Sequence, residues 1–335
     1  MKTLYLYGEH DLRFGDGPMP QPGEGEALVR VTAVGLCGSD LHWYSFGENG
    51  SAHLDGPIIL GHEFAGIVES GKFAGLHVAV DPAIPCGKCE FCRAGLEHLC
   101  PEMRFPGNAN FGALTEYVVW PESNLVPLPP ELSDADGAML EPFGVALHTL
   151  DLCEIRPGMT VGIYGCGPVG LLLVQLVRLS GASRIFATDC LSHRLEAARA
   201  YGATDTFLAD LSEREAVRSA THRRGVDVAI EVAGDLEAVA TATETCKPGG
   251  TVVLIGIAKG DVTAFPATEA RHKELTIKLQ HRMNHTYPRT IDLAARGMVD
   301  LKSIVSHRFP FSAAQQAFEL AERRDGRKVV IDVDK

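Results

Sequence analysis

A chain of 335 residues that is 45% hydrophobic and 22% charged is globular and long enough for two domains, each with its own core. A net charge of −12 argues against nucleic acid or an anionic membrane surface as the main partner. The first seven residues run into Gly8, Glu9 and Asp11 rather than into an apolar signal core, and the apolar run Val169–Leu179 is broken by Gln175 and Arg178. A cytoplasmic protein with no membrane span is therefore expected, and its nine cysteines are expected as metal ligands or free thiols rather than disulfides.

From Lys2 to about Thr149, short β-branched runs (Ala27–Val34, Ile67–Val68, Val78–Val80, Tyr117–Val119) alternate with Gly/Pro-rich turns at Gly15–Gly25 and Pro127–Pro130. The pattern predicts an irregular, mainly β domain over residues 1–149. From Val161 the texture becomes strand–helix alternation. Strands are predicted at Val161–Tyr164, Arg184–Asp189, Thr206–Leu208, Val226–Val232, Thr251–Ile257 and Leu275–Leu279. Helices are predicted at Pro168–Leu179, at Ser192–Tyr201 on a Ser192 cap, near Leu211–His222 and at Leu236–Cys246. Near-continuous apolar strands with intervening helices imply a doubly wound parallel sheet over residues 150–282. Residues 283–335 carry predicted helices around Pro288–Arg296 and at Ser312–Arg324, the latter capped by Ser312 and stopped at Gly326, and a strand at Lys328–Val333. That tail is too short to fold alone and is expected to return and complete the first domain.

Within the first domain, Cys37, His62 and Glu63 supply a thiolate, an imidazole and a carboxylate flanked by Gly35, Gly38, Gly61 and Gly66, which predicts a metal site. Adjacent side chains on a regular element diverge, so His62 is expected as a permanent ligand and Glu63 as a partial or exchangeable one. Glu141, in Glu141-Pro142-Phe143-Gly144, either reaches that metal, directly or through water, or is a surface glutamate capping a helix. Cys86, Cys89, Cys92 and Cys100 supply four thiolates in residues 86–100, which suits a closed tetrahedral structural zinc with Lys88 and Arg93 offsetting charge. An iron–sulfur cluster fits less well because the final spacing is too long for the ferredoxin run.

Between the predicted strand and helix of the second domain lies Gly165-Cys166-Gly167-Pro168-Val169-Gly170. Its glycines let a pyrophosphate approach the backbone, and Pro168 sits where a missing N–H is harmless. Asp189 at the end of the next strand is placed to take the hydroxyls of an adenosine ribose, which favours NAD over NADP, while Arg194 can turn to a phosphate or cover the adenine. Cys153, Cys166, Cys190 and Cys246 read as small buried hydrophobes.

Taken in order along nearly the whole chain, these motifs resemble the zinc-dependent medium-chain dehydrogenases, specifically the polyol (sorbitol, xylitol, L-iditol) branch. The resemblance implies an α/β Rossmann domain plus a mainly β, GroES-like catalytic domain. It also implies a catalytic zinc on Cys37, His62 and Glu63 or Glu141, with Asp40 orienting the zinc-bound His. Ser39 and His42 match the proton relay, and Arg282 matches the arginine that holds substrate hydroxyls. The implied reaction is oxidation of a secondary alcohol of a polyhydroxy compound by NAD, in a homotetramer or homodimer. Subunits would pair through the strands Thr251–Ile257 and Thr276–Leu279. L-Threonine, an aldonate such as idonate, and an alditol phosphate are alternative substrates on the same fold, and a non-catalytic NAD-binding protein is the remote alternative.

Overall fold

A computed structural model describes residues 1–107, 111–258 and 262–334. Two compact units divide the chain: Met1–Gly144 with Asn284–Lys335, and Val145–Met283. The first begins with an antiparallel hairpin of β1 (Lys2–Gly8) and β2 (Asp11–Asp16), then β3 (Glu26–Gly35), α1 (Gly38–Phe46) and the short pair β4 (Glu48–Asn49) and β5 (Ala52–His53). It continues through β6 (Glu63–Val68), β7 (His77–Val80), α2 (Glu90–Arg93), β8 (Tyr117–Pro121), β9 (Leu125–Pro127) and α3 (Asp134–Cys153), within which the division falls.

The second unit alternates β10 (Thr160–Tyr164), α4 (Pro168–Leu179), β11 (Arg184–Asp189), α5 (Ser192–Tyr201), β12 (Asp205–Leu208), α6 (Glu213–Ala220), β13 (Val226–Glu231), α7 (Leu236–Thr245), β14 (Cys246–Leu254), α8 (Ala267–His272) and β15 (Thr276–Leu279). All pairings are parallel, in the order β12-β11-β10-β13-β14-β15, and every residue of β13 is buried, as expected when helices cover both faces. The order reverses between β10 and β13, the point where doubly wound sheets open a crevice at the strands' carboxyl ends.

Several boundaries differ from the sequence expectation for identifiable reasons. Ser192 is the first helical residue of α5 rather than its cap; Leu191 holds the cap position and bonds no helix N–H through its side chain. α6 is shorter than Leu211–His222 because both those residues have positive φ, 76° and 52°, outside helical space. β14 starts at Cys246 and stops at Leu254, short of Ile257, because Gly256 packs directly on the Gly234 backbone as the chain leaves the sheet. β14 lies inside the sheet, so of the two strands expected to pair subunits only β15 is an edge.

The returning segment adds α9 (Tyr287–Ala295), β16 (Val305–Pro310), α10 (Ala314–Glu322) and β17 (Lys328–Asp332) to the first unit. Ser312 sits in a 3-10 turn, Phe311–Ala313, anchored by buried Phe311, so α10 starts later than expected and Ser312 does not cap it. One edge of β3 is shared: β8 pairs with Glu26–Arg30 and β17 with Ala33–Gly35, while β6 runs along the other edge. Phe318 of α10 packs on Tyr44 of α1 at 5.0 Å, inside a core that includes Val29, Val31, Phe64 and Trp120. The C-terminal strand is therefore integral to the sheet that carries the metal-type residues.

In the second unit Asp227 pins the start of β13 to that of β10. Its Oδ2 accepts from the N–H and hydroxyl of Thr160, both at 2.8 Å, and its Oδ1 meets Arg224 at 2.6 Å and Lys247 at 2.7 Å. Burial alone would raise its carboxyl, but Arg224, Lys247 and Thr160 hold it well below the usual carboxylate range. A depressed folded-state pKa stabilises the fold above the unfolded value of about 4 and ceases to do so as pH falls through the folded value. Asp227→Asn is expected to lower the melting temperature at pH 7 and to flatten its fall between pH 4 and pH 2, read by thermal denaturation of both proteins; identical pH profiles would contradict this assignment.

Candidate functional site

The metal-type residues sit where β3 ends and β6 begins. Cys37 has extended backbone (φ −95°, ψ 159°) and caps α1, and Asp40 three residues on closes the turn. Asp40 Oδ2 accepts the Cys37 N–H at 2.9 Å and Oδ1 accepts the Gly61 N–H at 3.1 Å, so one carboxylate joins the two chain segments. Gly61 has φ 90°, and a Cβ there would stand 2.8 Å from Val34 Cγ1, so only glycine makes this turn without strain. The turn leaves His62 outside the regular pleat of β6, which is how two adjacent side chains converge. Ligand atoms of Cys37, His62 and Glu63 all lie within 4.8 Å of one another. Gly38, by contrast, has open space where a Cβ would be and a negative φ, so the expectation that all four flanking glycines serve the turn is too broad.

Charge is concentrated here in buried groups. His62 Nδ1 lies 3.6 Å from Asp40 Oδ1, and both side chains are buried. Burial by itself would lower the imidazole's pKa, but Asp40 and then Cys37 hold it well above its ordinary value; burial would raise Asp40, but His62 and the two backbone N–H groups hold it down. Such a set favours a cation between thiolate and imidazole. Glu141 is buried within α3 and is not a surface cap. Burial pushes its carboxyl up to about 7, with His62 and Lys328 opposing and Glu63 adding to the rise. It stays outside the three-residue cluster. Ser39 and His42 are three residues apart on α1 and so share a helix face.

The four cysteines of residues 86–100 converge as expected, their sulfurs within 4.8 Å of one another. A Zn–S bond of about 2.3 Å puts tetrahedral sulfurs roughly 3.8 Å apart, so the donor set fits zinc. The Cys86 N–H donates to Cys100 Sγ at 3.3 Å and the Cys92 N–H to Cys89 Sγ at 3.5 Å. The Lys88 N–H, with further help from Cys89, lowers the Cys86 thiol to about 7. The Lys88 ammonium lies 3.6 Å from Glu102 at the surface of the lobe. Among the described cysteines all nine are free thiols, and Cys190 is exposed, which corrects its reading as a buried hydrophobe.

In the second unit the glycine-rich turn joins β10 to α4 with Gly167 at the cap and Pro168 at the first helical position; Val169 follows in the first turn. Gly165 has φ 111°, and a Cβ on Gly170 would collide with the Gly165 carbonyl. Asp189 ends β11 and is engaged by backbone: Oδ2 accepts the Cys166 N–H at 2.8 Å and Oδ1 the Leu191 N–H at 2.9 Å. Arg194 is drawn to it, with Nη1 3.8 Å from Oδ2, rather than swung free.

Residues 23–130 match the alcohol dehydrogenase GroES-like domain and residues 168–296 the zinc-binding dehydrogenase family. The chain is 34% identical to D-xylulose reductase A of Aspergillus oryzae, covering 98% of this chain and 96% of that protein. It is also 34% identical to sorbitol dehydrogenase of Bacillus subtilis, covering 96% and 93%. The chain belongs to the zinc-dependent medium-chain dehydrogenases, in their polyol-dehydrogenase-like branch. A Sinorhizobium meliloti 1021 protein of the zinc-binding dehydrogenase type, solved bound to NADP, superposes with a TM-score of 0.88 at 32% identity over 99% of each chain.

This medium-chain dehydrogenase holds three residues near its sites that sequence reasoning missed. Lys328 Nζ pairs with Glu63 Oε2, and both side chains are 1% exposed. The signal was a lysine opening the otherwise apolar Val329-Val330-Ile331 strand. The Phe105 ring packs on the His62 ring, centroids 5.2 Å apart and tilted by 48°. Glu231 ends β13 and accepts the N–H groups of Ala233 and Gly234, both at 2.6 Å, fixing the loop beside the strand-order reversal. Arg282 lies in the second unit with φ 56°, its carbonyl accepting from Gln280 Nε2 at 2.8 Å. Gly61→Ala is expected to destabilise the enzyme by about 1–3 kcal/mol through its left-handed φ, whereas Gly38→Ala is expected to be neutral or stabilising by up to about 1 kcal/mol. Urea denaturation of the two variants checks this, and equal costs would contradict the turn's role.

Proposed function

We propose that this enzyme oxidises a secondary hydroxyl of a polyol to a ketose with NAD, using one catalytic zinc at Cys37, His62 and Glu63 and one structural zinc at Cys86, Cys89, Cys92 and Cys100. The observation that carries this reading is the convergence of thiolate, imidazole and carboxylate within 4.8 Å beside a carboxylate that fixes their backbone. Zinc, when bound there, supplies Lewis-acid polarisation of the substrate hydroxyl, lowering its pKa toward neutrality. NAD, when bound at the second unit, supplies the hydride acceptor.

The chain's own residues do the rest. Asp40 fixes the orientation of His62 and the position of Cys37. Ser39 and His42, on one face of α1, take the substrate's proton toward solvent. Glu63 and Glu141 share the remaining carboxylate position, one directly and the other through water. The backbone of Gly165–Gly170, with Gly167, Pro168 and Val169 opening the helix, receives the pyrophosphate, and Asp189 takes the ribose hydroxyls and disfavours a 2′-phosphate. Arg194 stays with Asp189 and covers the adenine side, and Arg282 holds substrate hydroxyls. Polyol specificity is supported by the relatives named for D-xylulose and sorbitol. Cysteines that are free thiols in metal-ligand spacing support a cytoplasmic location. None of the described helices is long and apolar enough to cross a membrane. The exposed β15 edge, with Leu279 74% exposed, supports a homotetramer or homodimer.

Reduced-cofactor absorbance over a panel of xylitol, sorbitol, L-iditol, L-threonine, idonate and an alditol phosphate, each with NAD and NADP, tests the assignment. Turnover of an alditol with NAD, well above that with NADP, is expected; equal use of NADP contradicts the role of Asp189, and preference for threonine or idonate contradicts the substrate class. Cys37→Ser is expected to abolish turnover while NAD binding, followed by cofactor fluorescence, is retained.

A further inference from the structure

The return of the chain's last strand brings a buried cation to the metal-type cluster. β17 pairs with β3 so that Val330 stands opposite Gly35, and β3 pairs with β6 so that Gly35 stands opposite Glu63. Lys328 precedes Val330 by two residues and so shares its face of the sheet. It reaches Glu63 by passing over Gly35. A Cβ at Gly35 would collide with Glu63 Oε2 and would stand 3.0 Å from Lys328 Cε, so glycine is the opening through which the ammonium and carboxylate meet. Both side chains are 1% exposed, and a lysine so deeply buried requires a paired charge.

We propose that Lys328 is a positioning residue of the metal centre: by holding Glu63 Oε2 it restrains that carboxylate and keeps it an exchangeable rather than a permanent ligand. The proposal rests on the reading that Cys37, His62 and Glu63 hold a metal ion. Two cations would then compete for one carboxylate, with the ammonium already held at Oε2. Nothing in the local sequence around Cys37, His62 or Glu63 announces this partner, because it arrives 265 residues after Glu63.

The test is the rate at which the holoenzyme releases zinc to a chelating dye, read in the kinetic phase that Cys37→Ser lacks, together with kcat and KM. Lys328→Met is expected to slow that phase on the order of 10-fold, as the freed carboxylate closes on the ion, and to lower kcat with little change in KM. Lys328→Arg, which keeps the charge, is expected to restore both toward wild type. Should Lys328→Met fail to fold, Glu63→Gln/Lys328→Met removes both charges, and it is expected to release zinc at the rate of Glu63→Gln alone. Release from Lys328→Met at or above the wild-type rate overturns the proposal, as does a double variant that differs from Glu63→Gln. A wild type with no Cys37-dependent release phase would instead overturn the metal reading on which the proposal rests.

Discussion

The carboxylate of Asp40 is the interaction on which the first unit's chemistry depends. It accepts the N–H of Cys37 at the start of α1 and the N–H of Gly61 before β6, and it lies against the His62 ring. Remove it and the two chain segments lose a shared anchor, while a buried imidazole loses its counter-charge. Its own ionised state is kept by the groups it organises, so the arrangement is mutually supporting: the N–H groups and imidazole hold the carboxylate charged, and the charged carboxylate holds them in place.

Around that anchor the sheet acts as a delivery device. β3 carries the chain to Cys37, β6 starts at Glu63, and β17, from the far end of the sequence, lays Lys328 across Gly35. Buried charges of both signs thus converge on the face of the sheet that also carries Ala33 and Val330, which pack with Ala135 and Ala138. Fixed, desolvated charges of this kind need no reorganisation when a reaction develops charge, which is the property a catalytic centre requires.

Much of this was legible in the sequence because it is local. The α4 helix at Pro168–Leu179 and the β11 strand at Arg184–Asp189 were predicted to the residue, since apolar periodicity, Pro168 and the glycine turn act over short distances. The cysteine spacing of residues 86–100 likewise carries its geometry with it. What escaped was tertiary. The partner of Glu63 lies 265 residues away, the exposure of Cys190 depends on where β11 ends, and Ser312 and Ser192 carry cap-like chemistry at positions that the packing of neighbouring residues displaced from the cap. Glu141 was ambiguous for the same reason: only the burial of α3 separates an interior carboxylate from a surface cap.

The account turns on a metal held by Cys37, His62 and Glu63 in addition to one in the cysteine lobe. Zinc content per chain, measured by plasma mass spectrometry on the wild type and on Cys37→Ser, tests it most directly. Two zinc ions in the wild type and one in the variant are expected. One ion in the wild type, or two in Cys37→Ser, would contradict it.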